Sequence, residues 1–255
     1  MQPERFVTCG LVLRETVTRD ADKILTVLTP DRGRLSVIAR GARRKGSRVA
    51  AACQLLAYSE MTLYEKGRWT MLDAADTIEL FDGLRQDLTA LSLAAYLAEL
   101  TEAVSDGCGG DVLPLLLNAL YALSALKKPP QLVKPAFQLR LMALAGYEPM
   151  ADGCALCGAL EPENPMLDVV HGVVHCGKCR EKGGLSLPLT ASGLAALRYV
   201  LYGDPRRLYS FSLPPEGLRA LNHAADAYVS AQLERSFRTL DYYKSILPQE
   251  ETKYE

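Results

Sequence analysis

Four cysteines at fixed spacing constrain this chain more than any other feature. Cys154-Ala-Leu-Cys157 is followed, after an 18-residue interval, by Cys176-Gly-Lys-Cys179. Two residues between paired cysteines let both thiolates reach one ion from a single tight turn. Two such turns complete a tetrahedron with metal–sulfur distances of about 2.3 Å. Gly158 and Gly177 follow Cys157 and Cys176, where the turning backbone must bend sharply and aim N–H groups at sulfur. The spacing is that of a zinc ribbon. A structural Zn²⁺ with ligands Cys154, Cys157, Cys176 and Cys179 is therefore expected, ahead of a redox dithiol pair or an iron–sulfur centre. His171 and His175 lie nearby, but the cysteines alone fill the shell. Four protein ligands leave no open coordination position, which excludes a catalytic role for the ion. Lys178, Arg180 and Lys182 are expected to offset the site's negative charge. Cys9, Cys53 and Cys108 have no partner at useful spacing and read as ordinary packed residues.

The chain on either side of this module has two textures. Up to about residue 81 it is β-rich. Phe6–Leu13, Ile24–Thr29, Leu35–Ala39, Met61–Tyr64 and Trp69–Leu72 are short strand candidates. Turns at Pro30-Asp31-Arg32-Gly33 and Glu65-Lys66-Gly67-Arg68 join them as hairpins, and Asp73–Phe81 offers a last strand. This pattern suits a small barrel such as an OB-fold, and an SH3-like barrel fits nearly as well. From about Asp82 the apolar residues recur at helical spacing. Helices are expected around Leu84–Ala98, over Asp111–Leu126 with Asp111 as N-cap, over Leu132–Leu144 ended by Gly146, from a Thr190 cap to Leu201, and from Pro214-Pro215 to about Glu234. The expected fold is α+β and multidomain: an N-terminal OB-fold barrel over 1–81, an α-helical domain over 82–148 and 190–247, and the inserted four-cysteine ribbon over 149–189. With 49% hydrophobic residues in 255, the chain has ample material for a core, which excludes disorder.

Net charge is −1, which by itself argues for no polyanionic partner. The average conceals one window. Residues 32–48 hold Arg32, Arg34, Arg40, Arg43, Arg44, Lys45 and Arg48 and no acidic residue. A basic patch on an otherwise acidic molecule is the footprint of a phosphate binder. Gly41 and Gly46 let the backbone approach a ligand, Ser47 offers a hydroxyl and an N–H, and the guanidinium fork suits phosphate. Arg34, Arg40, Arg43, Arg44, Lys45 and Arg48 are the expected DNA contacts. Phe6, Tyr58, Tyr64 and Trp69 are the head's aromatic residues. Trp69 is expected to pack in the barrel or hairpin rather than to serve as a base platform.

Enzymatic chemistry finds little support. No Gly-Lys-Ser/Thr phosphate loop is present. The only histidines are His171, His175 and His223, and no acid–base pair has supporting context. No targeting segment is visible, since Glu4 and Arg5 interrupt the N-terminus. The longest apolar stretch, Val112–Leu126, contains Pro114, Asn118 and Ser124 and is short for a bilayer span. A non-enzymatic protein of the cytoplasm is expected, with no membrane partner.

Several segments together resemble one family. Thr26–Gly33 leading to Ala39-Arg40-Gly41-Ala42-Arg43-Arg44 looks like the N-terminal signature of the RecO family of bacterial recombination proteins. Ala94–Leu100 is similar to that family's first body helix. Phe137–Pro149 runs into Cys154-Ala-Leu-Cys157-Gly158 as in its zinc-containing members. Leu240–Ser245 resembles the closing leucine-lysine-serine element, from which Asp241-Tyr242-Tyr243 departs. The resemblance implies a DNA repair mediator that binds single- and double-stranded DNA and anneals complementary strands. It implies RecR and the acidic C-terminal tail of single-stranded DNA-binding protein (SSB) as partners, RecF and RecA indirectly, and association with the nucleoid. A tail that is acidic with an apolar end needs an apolar groove rimmed by cations. Lys134, Phe137 and Arg140 are the candidates for it; the alternative is that Phe137, Leu141 and Leu144 are core and the two cations merely solvated. The competing reading is a zinc-ribbon protein-interaction adaptor in which the basic segment is incidental.

Overall fold

The computed structural model describes residues 4–18, 21–105, 110–179 and 184–247. Five strands, β1 (Arg5–Val17), β2 (Lys23–Thr29), β3 (Gly33–Ala39), β4 (Tyr58–Lys66) and β5 (Trp69–Glu79), close a barrel in the order β1-β2-β3-β5-β4. β1 pairs antiparallel with both β2 and β4, and β3 runs parallel to β5. This is the OB order, which decides between the two barrels the sequence allowed. Asp73–Phe81 is not a separate strand: β5 runs without a break from Trp69 to Glu79. β1 serves both halves of the barrel because it bends at a register shift between Val12 and Arg14.

Strand alternation sorts the barrel's side chains. Val12, Leu25, Val27, Val37, Met61, Leu63 and Leu72 fill its interior. Leu11, Leu13 and Leu28 point outward and pack instead with the helical body, in one continuous core. That shared core leaves β3 and the start of β5 as the open face of the head.

The body holds α1 (Leu88–Val104), α2 (Val112–Ser124), α3 (Pro130–Leu144), α4 (Ala191–Tyr202), α5 (Pro215–Leu233) and α6 (Arg238–Ile246). Asp87 caps α1 by accepting from the N–H groups of Thr89 (2.8 Å) and Ala90 (3.2 Å). Thr190 caps α4 through Gly193 N–H at 2.9 Å. Asp111, expected to cap α2, has helical backbone angles and makes no side-chain cap bond. Gly146 ends α3 in the left-handed region at φ +88°, and the Tyr147 N–H returns to the Met142 carbonyl at 2.8 Å. Among the described residues no helix is long and apolar enough to cross a membrane.

Between α3 and α4 lies a three-stranded sheet in the order β7-β6-β8, from β6 (Met166–Asp168), β7 (Val173–His175) and β8 (Ser186–Pro188). Ala151, Leu167, Val169, Val174 and Leu189 from this module belong to the body's core. Arg198 of α4 clamps it. Its guanidinium donates to the carbonyls of Ala151 (2.7 Å), Asp152 (3.1 Å) and Leu160 and pairs with Glu161 (2.9 Å). The cysteine module is thus docked on α4 and α5 rather than projecting from them.

Candidate functional site

The cysteine quartet converges. The sulfurs of Cys154, Cys157, Cys176 and Cys179 all lie within 4.8 Å of one another. Cys157 and Cys176 are 3.8 Å apart. That is the edge of a tetrahedron whose centre lies about 2.3 Å from each corner, so the donor set fits a four-thiolate metal ion. Local backbone geometry produces the convergence. The Gly158 N–H closes the first turn on the Cys154 carbonyl (2.9 Å), with Gly158 at φ +75°. The Cys179 N–H closes the second on the Cys176 carbonyl (2.9 Å). Gly177 serves a different purpose from the expected bend: a Cβ there would lie 3.2 Å from both the Cβ and the carbonyl oxygen of Asn164, so it permits close packing of the 163–164 segment.

Burial pushes the Cys154 thiol up, but N–H groups of Cys157, Cys176 and Leu156 outweigh it and bring the thiol down to about 6. Hydrogen bonding to Cys157, burial and Cys154 push Cys179 up to about 12. Cys154 ionises readily, while Cys176 and Cys179 resist. A divalent cation is what allows all four to be thiolates at once.

Neither histidine is placed to substitute as a ligand. His175 is buried, with Nδ1 2.8 Å from the Cys176 carbonyl and Nε2 2.9 Å from the Ser186 hydroxyl. His171 Nδ1 lies 2.8 Å from the buried Asp168 carboxylate. Lys178 is spent on an exposed pair with Glu163 at 2.8 Å, so it does not serve the metal alone. Arg180, Lys182 and Cys108 lie outside the described residues. Cys53 is enclosed in the barrel core, and burial pushes its thiol up to about 11, which keeps it protonated.

The basic window divides in two. Arg34 opens β3 and Arg40 follows its end, six residues or roughly 20 Å apart along a strand. At the first end, the Arg32 guanidinium lies 3.8 Å from the Phe6 ring centre. Arg34 donates to the Glu102 carbonyl on α1 and lines the cleft between head and body with Arg14, Glu99, Glu102, Arg235 and Arg238. At the second end, Arg40, Arg43, Arg44, Lys45 and Arg48 are all exposed, and among the described residues their side chains have no ion-pair partner.

The connection carrying these five side chains is nonetheless ordered. The Gly41 N–H donates to Asp22 Oδ1 (2.7 Å) and the Arg43 N–H to the Ala21 carbonyl (2.9 Å), tying it to the β1–β2 loop. Ala42 and Cys53 anchor its underside in the barrel core. The Ser47 N–H goes to the Arg44 carbonyl (3.0 Å), which removes it from the expected phosphate donors. Fixed main chain beneath exposed cationic side chains is an arrangement able to grip a polyanion. Charge and glycine content signalled it, while the tie to Asp22 carried no sequence signal.

The three residues expected around a groove at α3 do not share one opening: Lys134 borders one, Arg140 another, and Phe137 neither. Phe137 is fully buried. Lys134 is 4% exposed and pairs with Asp226 of α5 at 2.6 Å. Lys244 of α6 reaches the other oxygen of Asp226 at 2.7 Å, and the Gln138 amide donates to Asp226 Oδ1 at 2.9 Å. Burial pushes the Asp226 carboxyl up, the two ammonium groups pull it down further, and it settles below the ordinary carboxylate range. Arg140 donates to the Val200 (3.3 Å) and Leu201 carbonyls at the end of α4. Phe137, Lys134 and Arg140 are thus a structural set. Lys134 and Asp226 themselves border an opening between α3, α5 and α6, lined also by Pro215, Leu218, Arg219, Lys244 and Leu247.

Comparison with known proteins agrees along the chain. The family described as Recombination protein O N terminal matches residues 1–81, and Recombination protein O C terminal matches residues 85–241. A DNA repair protein RecO from Acetivibrio thermocellus is 30% identical over 94% of this chain and 96% of its own length. One from Symbiobacterium thermophilum is 31% identical over 93% and 96%. One from Heliobacterium modesticaldum is 34% identical over 93% and 88%.

Proposed function

This chain belongs to the Recombination protein O family of DNA repair proteins, and from that premise we propose that it binds and anneals DNA without a reactive centre. The observation that carries the reading is the set of five exposed cations, without ion-pair partners among the described residues, on a fixed connection at one end of the barrel. Arg40, Arg43, Arg44, Lys45 and Arg48 hold backbone phosphates and release their counterions. Contacts of this kind carry no base information, so they serve single and double strands of any sequence. Annealing then follows from charge: two polyanions on one cationic surface repel each other less. Arg34 takes a lesser part, since the Glu102 carbonyl already engages it.

Zinc is the ion assigned to the quartet, because four thiolates at tetrahedral spacing suit a borderline-soft cation without geometric preference. It would be held by Cys154, Cys157, Cys176 and Cys179 and would fix the ribbon against α4. RecR, and RecF and RecA through it, are the expected partners in the cytoplasm at SSB-coated gaps. The acidic SSB tail fits the opening between α3, α5 and α6, where Leu218 and Leu247 supply apolar surface and Arg219 the cation. Arg219→Glu should abolish capture of a tail peptide.

The decisive variant is Arg40→Ala, Arg43→Ala, Arg44→Ala combined. Filter binding of a single-stranded oligonucleotide at moderate salt should show at least tenfold weaker affinity, and annealing of complementary strands should slow with it. Affinity equal to that of the unaltered chain would remove the reading and favour an adaptor that does not touch DNA.

A further inference from the structure

The open face of the barrel carries an aromatic side chain that the phosphate contacts leave unused. Trp69 is the single tryptophan of the chain. It begins β5 and pairs with Lys66 across a turn whose Gly67 stands at φ +63°. The expectation that it packs in the barrel fails, because it is 45% exposed. Its place beside the turn, where Lys66, Gly67 and Arg68 are all exposed, gives the reason, since Met71 of the same parity is buried. The parallel register pairs Val37 with Thr70 and Ile38 with Met71, so Trp69 lies beside Ser36 on the outer face of β3. From there to Arg40 is four residues, roughly 13 Å along the strand. Exposed cations flank the ring in sequence at Lys66 and Arg68, and the Arg68 guanidinium lies 5.0 Å from its centre.

A half-exposed indole set among cations, on the same barrel face as a basic connection, matches a ligand that offers both negative charge and flat aromatic surface. We propose that Trp69 is a base-stacking platform that makes the head favour single strands over duplex. In a single strand the base faces are open to an indole, whereas in a duplex neighbouring pairs cover them. The phosphates bound near Arg40 and the base stacked on Trp69 belong to one short stretch of strand, within the roughly 4–16 nucleotides an OB-fold covers. This inference rests on the DNA-binding reading above and adds the residue that separates the two forms of DNA.

Because Trp69 is the lone tryptophan, excitation at the red edge of its absorption reports on this position without a label. The full chain is titrated with oligothymidylate and with an abasic oligomer of equal length, which keeps the phosphates and lacks the bases. Quenching is expected with the first and not with the second. Trp69→Ala should weaken oligothymidylate binding about tenfold, or about 1.4 kcal/mol, and leave duplex affinity within twofold. Trp69→Phe should recover most of the loss. Tight oligothymidylate binding with an unmoved indole signal, or equal losses for single strand and duplex, would overturn the platform while leaving phosphate binding intact. Failure to bind either oligomer or duplex would overturn both. A Trp69→Ala chain that binds all DNA normally would likewise overturn the platform.

Discussion

Two sets of cations in this molecule look alike in sequence and end in opposite circumstances. Arg40, Arg43, Arg44, Lys45 and Arg48 stand exposed on a turn-rich connection, and their side chains lack ion-pair partners among the described residues. Lys134 and Arg140 of α3 lie inward, one paired with Asp226 and the other bonded to the end of α4. The difference comes from their neighbours. Each α3 cation is three residues from Phe137, so all three share one helical face. A face that buries a phenylalanine takes its cations inward, and a buried charge persists only with a partner inside the molecule. The connection after β3 has no such face above its buried Ala42, and its charges remain available to a partner outside.

The comparison can be broken in several places. The largest expected effect tests whether the body's buried cations depend on the ribbon docked beside them. Stripping the metal with a chelator should unfold the ribbon, since binding free energy of this kind runs to about 10 kcal/mol or more in small zinc domains. The melting temperature should fall sharply while oligonucleotide affinity stays within twofold, as the head's connection shares no residue with the ribbon. Loss of both together would mean that the two regions are not separate. Next, Lys134→Ala leaves a buried carboxylate facing Lys244 and Gln138 alone, and should cost about 3 kcal/mol or more in urea unfolding. A cost under about 1 kcal/mol would show that the pairing is incidental.

Arg140→Ala removes charge-assisted bonds to α4 and should cost about 1.5 kcal/mol. The pH dependence sharpens the same point. The carboxyl of Asp226 is lowered in the folded chain, so its contribution is complete above its unfolded value, about pH 4. It should disappear as acid carries the pH down through the lowered folded value. Asp226→Asn should remove that part of the acid limb in a stability-against-pH series. The smallest effect belongs to the connection: Arg43→Ala should change stability by no more than about 0.5 kcal/mol. A larger loss would make its charge structural and erase the contrast.

The same contrast governs what could be read in advance. The cysteine cluster was legible because the paired spacing fixes how closely the sulfurs can approach, and hairpin turns marked most of the barrel. Features that depend on register or on distant partners were not. Arg34 and Arg40 share a face of β3 by parity, yet strand length sets them at opposite ends and α1 takes the first. Trp69 follows a hairpin turn like any packing residue, and its exposure, against the burial of Met71 at the same parity, carried no sequence signal. Asp111 resembles Asp87 as a cap, but its helical backbone angles leave it without a side-chain cap bond. The nine-residue α6 is mostly polar and buries only Leu240 and Tyr243, too little periodicity to mark a helix. The apolar run around Phe137 marked it as a core candidate, but the partners that draw Lys134 and Arg140 inward, on α5 and α4, are distant in sequence.

The most direct trial of the central claim is the salt dependence of binding to a single-stranded oligonucleotide, for the natural chain and for the variant lacking Arg40, Arg43 and Arg44. Phosphate neutralisation predicts a steep fall of log affinity with log salt in the natural chain, flattened by about two units in the variant, at about 0.7 per lost contact. Parallel lines of equal height would contradict it.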